Sequence, residues 1–295
     1  MRRRVETAFF RFKAPRANAA RRVAFSQLSM IVCPILSGSS GNATYVESGS
    51  TRLLVDAGGA GRCIETNLRK IGVDPSSLTC LLATHEHDDH IRGLGVLSRR
   101  YNLPIYASVG VWDFLIRSAR IGEISKRFIK PFLSVKGDVL DLGDIKATYF
   151  ATAHDECDSV GYVFDDGKSK FGLATDLGHV TPRVRGSLLG CDAVLLESNY
   201  DYQSLIKGPY PYPLKQRILS PTGHLDNEDA GKFVAELVRS GVKYIFLGHL
   251  SENNNTERLA YDTVSRVLRE SGIEPQTTCK IYMTKRYEPS RKLEF

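Results

Sequence analysis

The chain's 295 residues are 42% hydrophobic and 25% charged, an ordinary globular composition that excludes collagen, disorder and a disulfide scaffold. No apolar run approaches the roughly 18 to 20 residues that a membrane-spanning helix needs, so no membrane partner is expected. The net charge of +7 sits at one end: residues 1 to 30 hold 8 Lys and Arg against Glu6 alone, whereas residues 31 to 295 hold 32 basic and 32 acidic side chains. Bulk charge therefore offers no support for a long polyanion, and any phosphate must be held by local groups. The six cysteines (Cys33, Cys63, Cys80, Cys157, Cys191, Cys279) are scattered with no C-x-x-C pair, which predicts a reducing compartment and a cytoplasmic location.

Residues 1–30 are Arg-rich and acid-poor, as an organelle transit segment is, and lack the apolar centre of a secretory signal. Two readings stand: a targeting segment, or a start placed upstream of a domain that begins at Met30. The place of Met30 directly before the first strand pattern favours the second. On both, residues 1–30 are a basic extension outside the fold and residues 31–295 are the domain. Strand patterns over 31–36, 43–47 and 52–55, joined by the turns S-G-S-S-G-N and S-G-S, predict a β-meander. Helical spacing follows over 62–71, a buried strand over 81–83, a helix over 91–101, a strand over 105–107 and a helix over 109–121. A second half opens with strands at 139–142 and 147–151 and continues with strands at 159–164, 170–174 and 193–197. A helix over 228–240, capped by Asp226 or Asn227, a strand over 244–247 and a helix over 257–270 complete the pattern. The alternation predicts one α/β domain made of two sheet-plus-helix halves.

The chemistry lies in the placement of histidine. Of seven in the chain, three fall within Thr84-His85-Glu86-His87-Asp88-Asp89-His90, just after the strand at 81–83. One histidine at a strand end is usually a satisfied surface residue, but three so close beside a carboxylate form a metal-ligand cluster. At a turn from strand to helix, His85 and His87 converge on one cation while Asp89 and His90 face a second position beside it. Imidazole and carboxylate suit zinc or another borderline first-row metal. The other four, His154, His179, His224 and His249, follow or interrupt strand patterns, where a site assembled from strand ends needs them.

H-x-H-x-D-H at 85–90, a later His154, Asp176 in A-T-D-L-G and the late Gly248-His249 resemble the metal motifs of the metallo-β-lactamase superfamily, in order along residues 31–295. The resemblance implies an α/β fold, the four-layered αβ/βα sandwich of the metallo-β-lactamase type. It implies two divalent metal ions, zinc or manganese: one held by His85, His87 and His154, the other by Asp89, His90 and His249, with Asp176 bridging. Asp56, at the end of V-D-A-G, is expected to orient a ligand. The stretches Ser37-Gly38-Ser39-Ser40-Gly41-Asn42, Leu196-Glu197-Ser198-Asn199-Tyr200-Asp201, Gly208-Pro209-Tyr210-Pro211 with Leu214-Lys215-Gln216-Arg217-Ile218, Gly223-His224-Leu225 and Gly248-His249-Leu250-Ser251 with Asn254 and Asn255 are similar to the YycJ/WalJ-like branch. That branch is associated with exonucleolytic digestion of DNA from a 5′ end. Asp226, where Ser is expected, and Asp88 inside the His motif depart from its pattern at positions that should not be ligands.

Two such ions lower the pKa of a bridging water and clamp the attacking and leaving oxygens of an in-line displacement at phosphorus. The expected catalytic residues are Asp89 and His224, the latter placed in a Gly/Pro loop to donate a proton to the leaving oxygen or to hold a phosphoryl oxygen. Expected substrate contacts are Ser39 and Asn42 in the Gly/Ser turn, Lys215 and Arg217 on a flanking phosphate, and Asn254. His179 has no expected role. A metal-dependent phosphodiesterase acting on nucleic acid, DNA before RNA, is the leading reading. The alternative is a small-molecule phosphodiesterase or an ester or thioester hydrolase on the same metals. A duplex-wide groove lined by Lys126, Arg127, Lys130, Lys215 and Arg217 would favour the polymer, and a closed pocket the small molecule.

Overall fold

Short turns fold the start of the chain back on itself, so that β1 (Ile31–Leu36), β2 (Ala43–Ser48) and β3 (Thr51–Val55) form an antiparallel meander. The computed structural model describes residues 29–134, 139–154 and 158–295. Residues 1–28 and Cys157 lie outside the described residues. The chain continues through α1 (Gly61–Lys70), β4 (Cys80–Leu82), α2 (Asp88–Ile91), α3 (Leu94–Tyr101), β5 (Ile105–Ser108), α4 (Val109–Ser118) and β6 (Ile129–Phe132). The second half runs β7 (Val139–Asp141), β8 (Lys146–Ala151), β9 (Val160–Asp165), β10 (Lys170–Ala174), α5 (Pro182–Leu188), β11 (Ala193–Glu197), α6 (Tyr202–Lys207), α7 (Tyr212–Ile218), α8 (Asn227–Arg239), β12 (Tyr244–Gly248), α9 (Glu257–Glu270), β13 (Lys280–Met283) and β14 (Leu293–Glu294).

Two seven-stranded sheets result, ordered β14-β1-β2-β3-β4-β5-β6 and β7-β8-β9-β10-β11-β12-β13. Each begins with antiparallel pairings and ends with parallel ones, the change falling at β3 in the first and β10 in the second. The C-terminal strand crosses to the first half, where Leu293 pairs with Val32. Met30 extends this ladder through Met30 N–H to Phe295 O at 3.0 Å and Phe295 N–H to Met30 O at 3.1 Å, and it is fully buried. Its backbone thus continues the β1–β14 pairing one residue beyond Ile31.

The alternation of side chains along the strands builds three apolar layers. Leu53 and Val55 face between the sheets with Leu82, Phe164, Phe171 and Phe246, while Leu54 and Leu81 turn outward under α1, α3 and α4. On the other side Leu195 faces inward, and Val194 and Leu196 pack under α5, α8 and α9 with Phe233 and Val264. The order is helix, sheet, sheet, helix, the four-layered sandwich expected. No helix among the described residues is long and apolar enough to cross a membrane. The described cysteines are free, and burial pushes the thiols of Cys33, Cys80 and Cys191 up to about 12, so they act as small core hydrophobes.

Two expected elements differ. The single helix over 91–101 is instead α2 and α3, parted at Gly93, whose N–H reaches Ala57 O at 2.6 Å and which has no room for a side chain: a Cβ there would lie 2.7 Å from Gly59 O. Helix α4 stops at Ser118 because Ala119 turns left-handed, with φ of 53°. Asp226 caps α8 by accepting Asp229 N–H at 2.7 Å. Asp and Ser serve that role alike, which accounts for this departure from the branch pattern.

Candidate metal centre

The functional side chains leave the same edge of the two sheets, where the parallel strands end. Asp56 follows β3, the 85–90 segment follows β4, Asp176 follows β10, Glu197 ends β11 and His249 follows β12. Among the described residues, seven non-glycine residues have left-handed backbone, and three of them are Asp56 (φ 60°), Asp176 (φ 57°) and His249 (φ 54°). Such strain persists where surrounding structure fixes it and concentrates at working sites. For His249 the anchors are Asn199 Nδ2–H to His249 O at 2.8 Å and His249 N–H to Ser37 Oγ at 2.9 Å.

Two groups of donor atoms lie side by side. In the first, His87 Nδ1 is 3.0 Å from His85 Nε2 and 3.4 Å from His154 Nε2. The three rings stand at 78°, 81° and 87° to one another, so their nitrogens meet like the legs of a tripod. In the second, Asp89 Oδ2 is 3.6 Å from both His90 Nε2 and His249 Nε2. Asp176 joins them: its Oδ1 is 3.7 Å from His154 Nε2 and 3.6 Å from His249 Nε2, and its Oδ2 is 3.2 Å from His90 Nε2. Each triad of donor atoms falls within 4.8 Å.

The donors fit divalent cations on two counts. His249 Nε2 is buried with no hydrogen-bond partner, which costs about 1–3 kcal/mol unless something else satisfies it. The set is imidazole and carboxylate throughout, as borderline first-row metals require.

Behind the donors sit carboxylates that hold the rings by their other nitrogen. Asp56 Oδ2 is 2.8 Å from His90 Nδ1, and Asp56 also accepts the Thr84 N–H at 2.8 Å. His85 Nδ1 lies 3.0 Å from Thr84 Oγ1. Glu197 is the residue that sequence reasoning passes over. Fully buried, it places Oε1 2.8 Å from Nδ1 of both His249 and His224, and its Oε2 accepts Leu177 N–H at 2.7 Å. The available signal was position: a carboxylate closing the apolar run of β11, at the strand end where the other ligands lie.

Charge follows from this crowding. Burial works against a proton on His249, yet Asp176 with the Asp89 and Glu197 contacts outweighs it and lifts its pKa to about 10. Burial likewise opposes, and Asp56 and Asp176 overcome it, at His90, which rises well above its ordinary value. For Asp176 burial disfavours the charge, but His249, His90 and His85 hold the carboxyl well below the usual range. His85 is pushed well below the imidazole range by burial and then by His90.

The site opens into a cleft of about 280 Å³ lined by His87, Asp176, His224, Tyr210, Leu214 and Arg217, among others. His224 has Nδ1 committed to Glu197, leaving Nε2 for the cleft, and its Nδ1 is 3.8 Å from Asp176 Oδ1. His179 is exposed and holds Pro221 O through Nδ1 at 2.8 Å, tethering the loop that leads to His224. Ser39 lies on the rim, and Arg217 Nη2 is 3.5 Å from His87 Nε2.

The other expected substrate contacts are bonded within the protein or lie away from the cleft. Asn42 is buried, exchanges bonds with Gly38 N and O at 2.9 and 3.1 Å, and puts Nδ2 3.0 Å from His90 Nε2, so it closes the turn against the ligands. Asn254 is fully buried and bonds Ser251 Oγ at 3.3 Å. Lys215 Nζ is spent on Ile206 O at 2.7 Å and Gly208 O at 2.8 Å. Lys126, Arg127 and Lys130 lie in or beside the edge strand β6, outside the cleft. Asp88 pairs with Arg120 at 2.6 Å on the surface and is no ligand.

Known proteins share both the sequence and the fold. The model of the metallo-beta-lactamase superfamily matches residues 36–249. The chain is 38% identical over 257 residues to the exodeoxyribonuclease YycJ of Bacillus anthracis, covering 87% of this chain and 96% of that protein. It is 37% identical over 250 residues to the exodeoxyribonuclease WalJ of Streptococcus pneumoniae, covering 85% and 92%. Among solved structures, the metallo-beta-lactamase fold protein YhfI of Bacillus subtilis superposes with a TM-score of 0.69 at 18% identity over 91% of this chain and all of that one. The short form of human tRNase Z superposes with a TM-score of 0.61 at 18% identity over 88% and 98%. With its motifs, layers and donor clusters in agreement, the chain belongs to the metallo-β-lactamase superfamily of metal-dependent hydrolases, among the homologues of YycJ and WalJ.

Proposed function

We propose that the protein is a DNA exonuclease directed to 5′ ends. The observation that carries this is the pair of donor triads sharing Asp176 beneath a cleft that Arg217 and His224 line, in a chain that spans nearly the whole of relatives named exodeoxyribonucleases. His85, His87 and His154 would hold one divalent ion, Asp89, His90 and His249 a second, and Asp176 both. When bound, the ions supply Lewis acidity and a water of lowered pKa for attack at phosphorus.

The chain's own groups do the rest. Arg217 offers the guanidinium fork that suits a phosphate. His224, held through Nδ1 by Glu197, presents Nε2 to the cleft; burial opposes its proton, but Glu197 outweighs this and raises its pKa, so it carries the proton that a departing alkoxide needs. Asp56 and Glu197 hold His90 and His249 by Nδ1, leaving each Nε2 on the side of Asp89, where it would bind a cation. The modest cleft volume favours the second reading, a small-molecule phosphodiesterase, and one experiment separates the two. Metal-stripped protein is reloaded with manganese or zinc and given single- and double-stranded DNA and RNA labelled at either end. Immediate release of a 5′ label as mononucleotide, with gradual shortening of 3′-labelled DNA, is the expected pattern. No release from any polymer, alongside turnover of a simple phosphodiester, would overturn it.

A further inference from the structure

We infer that the cleft holds one unpaired nucleotide at the DNA end, its base stacked on Tyr210 and Leu214, so that the terminal base pair must open before the bond is cut. This rests on the nuclease reading above. The motif Gly208-Pro209-Tyr210-Pro211 links α6 to α7, and nothing in the metal chemistry uses it. Its setting is that of a fixed platform. Pro209 and Pro211 set the backbone on both sides of Tyr210. Lys215 grips Gly208 O at 2.8 Å, and a Cβ on Gly208 would lie 2.6 Å from Ser204 O, so the loop is pinned to α6. Asn253 Nδ2–H donates to the Tyr210 hydroxyl at 3.1 Å, and the ring packs against the small cluster of Tyr200, Leu205 and Ile218. What remains of Tyr210 lines the cleft.

The helix that follows continues the wall. Leu214, Arg217 and Ile218 stand at i, i+3 and i+4 on α7 and all line the cleft, an apolar stretch beside a guanidinium that reaches His87. Base surface, phosphate grip and metal donors thus follow one another across one cavity. Tyr212, 72% exposed, extends an aromatic face beyond it. The volume of about 280 Å³ lies at the small end of ligand pockets, which suits a single nucleotide. Enzymes that act inside such pockets draw the nucleotide out of the stack. The equal numbers of acids and bases over residues 31–295 agree, since an end-gripping enzyme needs few phosphate contacts.

The test compares a single-stranded oligodeoxynucleotide ending in a 5′ thymidine with one whose 5′ residue is abasic, using the metal-loaded full chain. The expected loss in kcat/KM on the abasic end is roughly fivefold to a hundredfold, the range for one base stacked on an aromatic ring. Tyr210→Ala should bring the ratio of the two substrates close to one with metal content unaltered. Tyr210→Phe should preserve the ratio, because the ring stacks and the hydroxyl only anchors; a structural role of the hydroxyl would make Phe behave as Ala. Equal hydrolysis of both ends by the unaltered protein overturns the stacking inference and leaves the nuclease reading intact. Turnover of methyl p-nitrophenyl phosphate with no cleavage of either oligonucleotide overturns both.

Discussion

A single carboxylate, Glu197, serves two imidazoles that do different work: His249 completes a donor triad, while His224 faces the cleft. His224→Ala should therefore leave metal content unchanged and lower turnover of DNA by about a hundredfold to ten-thousandfold, the range for losing a general acid or an oxyanion donor. A p-nitrophenyl ester should suffer much less, because its leaving group departs without a proton; equal losses on both substrates would exclude the acid role, and lost metal would make His224 a ligand. The raised pKa of His249 sets a second expectation. With its value near 10 in the metal-free site, His249 carries a proton at neutral pH that a cation must displace. Apparent metal affinity should rise with pH, about tenfold per unit for each proton displaced. Metal-free protein should show the opposite trend from this group. A pKa raised from 6.5 to about 10 contributes stability that is complete below 6.5 and fades as pH climbs through 10. Titration of metal binding between pH 6 and 9 checks the first, and a flat profile would contradict it. At this scale the sequence was legible where residue types were rare: histidines cluster only for a reason. It was less legible for Asn42, Asn254 and Lys215, because the groups their side chains bond, Gly38, Ser251 and Gly208, are brought to them by the fold and not by any local pattern.

At the scale of elements the two halves solve one problem in the same way. Asp56-Ala57-Gly58 follows β3 and Asp176-Leu177-Gly178 follows β10, each Asp left-handed and each Gly pressed against the next loop. A Cβ on Gly58 would lie 1.6 Å from Asp89 O, and one on Gly178 2.1 Å from Pro221 O. Backbone cannot yield there as a side-chain tip can. Gly178→Ala should thus displace the loop carrying His224, costing about 1–3 kcal/mol and lowering turnover. Gly186→Ala, in α5 with nothing within 4 Å of its Cβ, should stabilise by about 0.5–1 kcal/mol. Thermal unfolding of the pair checks the contrast, and equal shifts would contradict it. The buried strands were readable because apolar runs bounded by Gly and Asn leave little choice of period. Less readable were β6, carrying Pro131 at a sheet edge, and α6 and α7, which are short and set among prolines; local pattern is weak there and tertiary packing decides.

Over the whole molecule, closure of the first sheet by β14 ties the two ends of the described chain together through Met30 and Phe295. A chain beginning at Ser29 keeps that ladder, so removal of residues 1–28 should preserve fold, metal content and hydrolysis. Because those residues carry 8 of the basic side chains, their loss should weaken only the salt-dependent part of DNA binding. Lost turnover at equal thermal stability would instead place the basic arm on the substrate. If Asp176 joins two cations in one hydrolytic site, its charge decides how many the protein holds. Metal ions are counted per chain in the reloaded protein and in Asp176→Asn, which keeps the shape and removes the shared charge. The expected result is two ions in the unaltered protein, and one at most, with hydrolysis lost, in the variant. Two ions retained in Asp176→Asn with undiminished turnover would show that Asp176 is not shared between them.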